Sequence, residues 1–145
     1  MLKLKQVFFL FIFIAGHVVI APAQINVSPA GKTYAVVIGI SQYQNKAIPP
    51  LNYAGKDAKI FSDWLKSNAG CAVPDFQVKL LIDEEASISA VYNALTWLTQ
   101  VAKQDDRVYL YFSGHGDVEI DSTSISQGYL LAWNSPSNNY ANNAI

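Results

Sequence analysis

The sequence contains a single cysteine, Cys71, among its 145 residues. One cysteine cannot form a disulfide within the chain, so the fold must be held together by packing and hydrogen bonds. Charged residues are also scarce, at 14% of the sequence, and the 10 lysines and arginines are nearly balanced by 11 aspartates and glutamates. The sequence lacks the excess of basic residues that forms the binding surface of nucleic-acid-binding proteins. We therefore predict no nucleic-acid partner.

The sequence also lacks an apolar run long enough for a comfortable membrane span, which needs about 20 residues. Lys3 and Lys5 form a basic start, residues 7–15 are almost purely apolar, and small residues follow at positions 21–23. This order is typical of a secretory signal peptide. We therefore predict a signal peptide over residues 1–23, transient contact with the membrane, and export to the periplasm or the outside of the cell.

The remaining chain is predicted to form one domain behind a short linker. Residues 24–32 contain Pro29 and Gly31, which are typical of a linker. Hydrophobic residues make up 51% of the sequence, which is sufficient for a packed core. We assign the domain to residues 33–145.

Predicted strands and helices alternate along this domain. Continuous apolar runs indicate buried strands, and apolar residues at helical spacing indicate amphipathic helices. The predicted strands cover residues 34–40, 78–82 and 108–113, and the predicted helices cover residues 55–68 and a segment that begins near Ser87 or Ser89. Alternation of this kind predicts an α/β fold with a mainly parallel sheet and helices on its faces.

Three finer expectations accompany this assignment. The strand at 108–113 is so apolar that we expect a central strand covered on both faces. The first helix is expected to bury one apolar face, formed by Ala58, Ile60, Phe61, Trp64 and Leu65. Residues 128–133 are expected to form a fourth strand or the arm of a hairpin.

The third predicted strand stops at a histidine, His115, that stands between two glycines. The carboxyl ends of strands are where open α/β sheets place their functional sites. A histidine there can act as a general base, and the amide of Gly116 is free to face a developing oxyanion. The alternative is a hydrogen-bonded imidazole in a simple turn, because histidine has many roles.

Four segments, taken in order, resemble the caspase-like cysteine peptidases, in particular bacterial caspase-domain proteins and metacaspases. They are Tyr34–Ile40, Leu51–Ala58, Asp83–Ala90 and Tyr111–Gly116. The resemblance extends from about Thr33 to Trp133. It implies a three-layer α/β/α caspase-like fold whose C-terminal part is missing, and it implies cysteine-type endopeptidase activity on a peptide or protein substrate.

The resemblance also implies roles for single residues. His115 matches the catalytic histidine of the Cys-His dyad, and Gly116 matches the glycine whose amide helps to form the oxyanion hole. Asp57 and Ser113 resemble two walls of the pocket that binds a basic side chain in metacaspases. A carboxylate at Asp57 would favour Lys or Arg at the P1 position, immediately before the scissile bond. The alternative for Asp57 is a carboxylate that stabilises the start of its helix.

The expected nucleophile is missing from this sequence. A caspase-type enzyme places its cysteine about 50 residues after the histidine, and no cysteine follows His115 before Ile145. Cys71 is expected at the side of the sheet opposite His115, out of reach for a dyad, where it would serve as a small buried apolar residue. We therefore expect a fragment or a truncated product that carries the N-terminal part of a catalytic domain and is inactive alone.

No cofactor is expected. Some metacaspases depend on calcium, and Asp117, Glu119 and Asp121 alternate after the histidine, but their spacing is not that of an EF-hand. We expect a solvated acidic loop there and no metal site. Two other functions stay open: a non-catalytic caspase-like binding module or pseudoenzyme, and a different branch of cysteine peptidases with its own His-Gly strand end.

Overall fold

The computed structural model describes residues 31–120, 126–140 and 143–145. The predicted signal peptide, most of the predicted linker and Asp121 lie outside the described residues. Within the described ranges, no helix is both long enough and apolar enough to cross a membrane.

The order of elements agrees with the predicted alternation of strands and helices. The described residues form strands β1 (Thr33–Gly39), β2 (Val78–Ile82), β3 (Arg107–Ser113), β4 (Gly116–Ile120) and β5 (Ser126–Leu130), with helices α1 (Ala54–Lys66) and α2 (Ile88–Val101). Single 3₁₀ turns, Asp75–Gln77 and Asp83–Glu85, stand on either side of β2. The side chain of Ser87 caps α2 by accepting a hydrogen bond from the Ala90 amide.

The main sheet has the order β2-β1-β3, and both strand pairs are parallel. Alternate residues of β1 face opposite layers, as the two-residue period of a strand requires. Tyr34, Val36 and Ile38 belong to a buried cluster that includes residues of α2. Ala35 and Val37 belong to a second buried cluster that includes residues of α1. The described part of the domain is therefore a three-layer α/β/α arrangement with a parallel sheet.

The expectation that β3 is a central strand covered on both faces is wrong for the described residues. In this part of the chain β3 lies at an edge of the sheet, and Val108 and Leu110 are 45% and 61% exposed. The strand β1 takes the central place because both β2 and β3 pair with it. An apolar run predicts a strand, but it does not determine where the strand lies in the sheet.

The expected buried face of α1 is only partly right. Ala58 and Leu65 are fully buried, whereas Ile60 and Trp64 are exposed. At 100° per residue, the buried side of the helix passes through Ser62 and not through these two side chains. Of the last predicted strand, 128–133, residues 128–130 lie in β5, a hairpin arm that pairs antiparallel with β4 in a separate two-stranded sheet, and residues 131–133 follow it outside any strand.

Gly39, the last residue of β1, lies directly against the first turns of α1. A β-carbon at this position would lie 2.5 Å from the Ala58 Cβ and 2.6 Å from the carbonyl oxygen of Ala54. Both distances are too short for a real contact, so only glycine allows the helix to approach this closely. The start of α1 is thereby fixed at the carboxyl end of the central strand.

We expect Gly39→Ala to lower the free energy of unfolding by about 1–3 kcal/mol, because it overpacks this contact. Gly128→Ala is the matched control, since a β-carbon there would meet no atom within 4 Å. Urea denaturation followed by circular dichroism measures both variants. Equal stability of the two variants would contradict the close approach at Gly39.

Candidate active site

His115 lies two residues beyond the carboxyl end of β3, just before β4 begins at Gly116. Its side chain is half-buried, and its Nε2 lies 2.9 Å from the carbonyl oxygen of Pro49. A carbonyl oxygen only accepts hydrogen bonds, so the Nε2–H donates in this contact. In the neutral imidazole, Nδ1 then keeps its lone pair and is the nitrogen that can accept a proton.

Tyr43 holds the main chain of the same histidine. The amide of His115 donates a hydrogen bond of 2.7 Å to the Tyr43 hydroxyl oxygen, and the two ring centroids are 5.4 Å apart. Tyr43 itself is only 2% exposed. Burial raises the pKa of Tyr43 above its ordinary value of 10.0, against the opposing effect of the His115 hydrogen bond. The hydroxyl therefore stays protonated and neutral at physiological pH.

Asp83 joins the carboxyl ends of β1 and β2. Its Oδ1 accepts hydrogen bonds from the amides of Ser41 at 2.6 Å and Gln42 at 2.9 Å. Asp83 has φ 47°, in the left-handed region where aspartate and asparagine are better tolerated than most other residues. Ser41 in turn accepts a hydrogen bond of 3.0 Å from the Gly55 amide at the start of α1. These contacts fix the beginning of the loop that contains Tyr43 and Pro49.

A cleft of about 290 Å³ opens beside His115 and Gly116. Its lining combines polar groups with the apolar side chains of Ala47, Ile48, Pro49 and Leu131 and the aromatic ring of Tyr140. The Gly116 residue begins β4, and a β-carbon there would lie 3.3 Å from the carbonyl oxygen of Tyr129. The imidazole and the main chain of Gly116 therefore line the same small cleft.

Two acidic side chains of β4 hold one wall of this cleft in place. The single proton of the Tyr140 hydroxyl is shared between Asp117 Oδ2 and the Ser137 carbonyl oxygen, both at 2.8 Å, and the Tyr140 amide donates to Glu119 Oε2 at 3.0 Å. Asp117 and Glu119 thus belong to a strand and bind Tyr140, which differs from the solvated loop that their alternation suggested. Among the described residues, no group of three His, Cys, Asp or Glu side chains is arranged to hold a metal ion.

Asp57 and Ser113 both lie at the carboxyl edge of the sheet. Ser113 is paired with Gly39 in the β1–β3 register, and Asp57 is an exposed residue of the α1 turn that packs on Gly39. The structure therefore brings Ser113, His115 and the first turn of α1, which contains Asp57, to the carboxyl edge of the sheet. The roles of these residues in binding and catalysis stay predictions.

Cys71 lies far from this edge. It follows α1, and its Sγ is 3.8 Å from the hydroxyl of Tyr109, near the start of β3. Tyr109 and Ser113 are four positions apart on that strand, which corresponds to about 13 Å at the usual rise per residue. Cys71 is thus not placed to form a dyad with His115.

Sequence reasoning missed two residues that contact His115, Tyr43 and Pro49, and the role of Asp83 in anchoring their loop. Tyr43 and Pro49 lie in the polar segment between β1 and α1, outside the predicted strands and helices. The available signals were an aromatic residue within that polar segment and an acidic residue, Asp83, directly after a strand. Neither signal identifies the hydrogen-bond partner, because the partners are distant in sequence.

Comparison with known proteins gives a consistent result. The family model described as the caspase domain matches residues 32–143. Metacaspase-1 of Plasmodium falciparum is 32% identical over 109 residues, which covers 70% of this chain and 18% of that protein. Metacaspase-1A of Aspergillus niger is 32% identical over 91 residues, covering 59% of this chain and 22% of that protein. The chain thus spans about a fifth of the length of these curated relatives.

The Tyr140 contact makes a prediction about the pH dependence of stability. Burial and the hydrogen bond to Asp117 raise the pKa of Tyr140 to about 12, and the same hydrogen bond lowers the pKa of Asp117. A raised tyrosine pKa stabilises the fold below about pH 10 and loses this effect as the pH rises toward 12. A lowered aspartate pKa stabilises the fold above about pH 4 and loses this effect in acid.

We therefore expect the stability difference between the wild type and Tyr140→Phe to be constant near neutral pH. It should shrink above about pH 10 and again below about pH 4. Urea denaturation at a series of pH values measures this difference, and the subtraction cancels the titration of the other tyrosines. A difference that does not change with pH would contradict the Tyr140–Asp117 hydrogen bond.

Proposed function

The chain belongs to the caspase domain family, and from that premise we propose that it is part of an exported cysteine-type endopeptidase. The observation that carries the proposal is the orientation of His115. Its Nε2 is engaged by the Pro49 carbonyl oxygen, which leaves Nδ1 as the nitrogen available for proton transfer. This arrangement is suited to a general base that serves a nucleophile.

In the proposed reaction, His115 takes the proton of a cysteine thiol, and the thiolate attacks the carbonyl carbon of a peptide bond. The imidazolium then returns the proton to the leaving amine, and water hydrolyses the remaining thioester. The Gly116 amide is proposed to donate a hydrogen bond to the oxyanion that forms during the attack. The thiol would come from a cysteine outside residues 1–145, because Cys71 is too distant. No cofactor takes part in these steps.

We further propose that the substrate carries Lys or Arg at the P1 position. Asp57 is exposed in the first turn of α1, at the sheet edge that also contains Ser113. A basic side chain that reached Asp57 would form a charge-assisted hydrogen bond with its carboxylate. Ser113 would contribute a second wall of this pocket.

A second candidate function is a binding module without catalysis. The distance between Cys71 and His115 favours the binding module, because no cysteine among the described residues is close enough to His115 to form a dyad. The reading frame beyond the codon for Ile145 separates the two candidates. A downstream cysteine at a strand end supports the peptidase, and a stop codon supports the binding module.

We expect His115→Ala to abolish hydrolysis of peptide substrates in the protein translated from the complete reading frame. By analogy with catalytic histidines of other hydrolases, the loss should be on the order of 10⁴-fold or more in turnover. Release of a fluorophore from peptide substrates measures the rate, and thermal unfolding verifies that the variant is folded. Unchanged cleavage by a folded variant would remove His115 from the mechanism.

We expect Asp57→Asn to lower kcat/KM for substrates with Lys or Arg at P1 by about 10- to 100-fold, because a charge-assisted hydrogen bond is lost. Substrates with a neutral P1 residue should be affected much less. Asp63→Asn, an exposed carboxylate elsewhere on α1, is the matched control. Equal losses for basic and neutral substrates would indicate that Asp57 serves only the helix.

A further inference from the structure

We infer that Tyr43 is a positioning residue that holds the main chain and the imidazole of His115 in the orientation required for proton transfer. The positioning itself follows from the contacts around His115. Its consequence for catalysis rests on the function proposed above. Tyr43 is buried and acts through His115, so we assign it no direct role toward the substrate.

Four contacts fix His115, and two of them come from Tyr43; in another, the Leu131 amide donates a hydrogen bond of 2.9 Å to the His115 carbonyl oxygen. The hydroxyl of Tyr43 accepts the hydrogen bond from the His115 amide at 2.7 Å. The Tyr43 ring packs against the imidazole at an angle of 42°. The fourth contact, from Nε2 to the Pro49 carbonyl oxygen, has a length of 2.9 Å and comes from the same loop as Tyr43. Together they hold the histidine at its main chain, its ring face and one ring nitrogen.

The neighbouring glycine leaves the space that the Tyr43 hydroxyl uses. A β-carbon at Gly114 would lie 3.0 Å from the Tyr43 hydroxyl oxygen and 2.8 Å from the Phe112 ring. A larger residue at position 114 would therefore push on the same hydroxyl that binds the His115 amide. The absence of a side chain at Gly114 thus leaves room for the Tyr43 hydroxyl.

Tyr43 is itself held rigidly, as a positioning residue must be. Its side chain belongs to the buried cluster with Ile40, Ile48 and Leu131. The next residue is fixed by a hydrogen bond of 2.9 Å from the Gln44 amide to the Trp133 carbonyl oxygen. The preceding residues are fixed by the carboxylate of Asp83. Movement of the tyrosine would require several of these contacts to break.

The variant Tyr43→Phe tests this inference, because it keeps the ring and removes only the acceptor for the His115 amide. In the complete protein we expect kcat to fall by roughly 10- to 100-fold, since small displacements of a catalytic group are costly. KM should stay within about twofold, because no substrate contact is lost. Nitrogen NMR of the imidazole should show a changed tautomer ratio for His115.

Tyr34→Phe is the matched control, because Tyr34 is another buried tyrosine at the opposite end of β1. It should change neither kcat nor the imidazole spectrum. If Tyr43→Phe does not fold, Gly114→Ala displaces the same hydroxyl and should reproduce both effects. Wild-type kcat and an unchanged imidazole spectrum in a folded Tyr43→Phe or Gly114→Ala variant would overturn the inference.

The two proposals fail in distinguishable ways. An inactive His115→Ala variant beside a fully active Tyr43→Phe variant with an unchanged imidazole spectrum would refute only the positioning role. An active His115→Ala variant would refute the proposed function. The imidazole spectrum of Tyr43→Phe would still decide whether Tyr43 orients His115, because the NMR measurement does not depend on hydrolysis.

Discussion

The parallel pairing of β1 with both of its neighbours is the constraint on which the rest of the structure depends. This pairing aligns Gly39 with Ile82 on one side and with Ser113 on the other. Three chain segments therefore leave the sheet at the same edge, which is the usual position of functional sites in such sheets. The loop after β1, the turn of Asp83 and the segment of His115 meet there because their strands end in register.

The loop between β1 and α1 fixes the orientation of the His115 imidazole at this edge of the sheet. Asp83 binds the amides at the start of the loop, and Tyr43 and Pro49 bind the amide and Nε2 of His115. Tyr43 and Pro49 act on the histidine as uncharged acceptors. A carbonyl oxygen selects the tautomer as a carboxylate would, but it brings no negative charge to the site. The imidazole is thus oriented through hydrogen bonds to uncharged groups.

The sequence predicted most of the fold because its signals are local. Apolar runs located β1 and β2, and the glycines around His115 marked the strand end. The exposure of one face of β3 was not predictable. Val108 and Leu110 are apolar and are expected in a core, and only the position of the strand in the sheet shows that they are exposed. The partners of His115 were missed for a similar reason: the contacts with Tyr43 and Pro49 join residues 72 and 66 positions apart. The periodicity of apolar residues indicates which side chains face a core. It does not indicate which distant residues form hydrogen bonds with each other.

The partners of His115 have a consequence for how the proposed dyad would be assembled. Tyr43 and Pro49 precede the histidine in the chain, as does Asp83, which anchors their loop. Among the described residues, the hydrogen bond to Nε2 and the aromatic contact with the imidazole both come from this loop. The conformational cost of orienting the ring is therefore met during folding and not at the moment of reaction. A thiol that approached Nδ1 would meet a base already held in its reactive orientation.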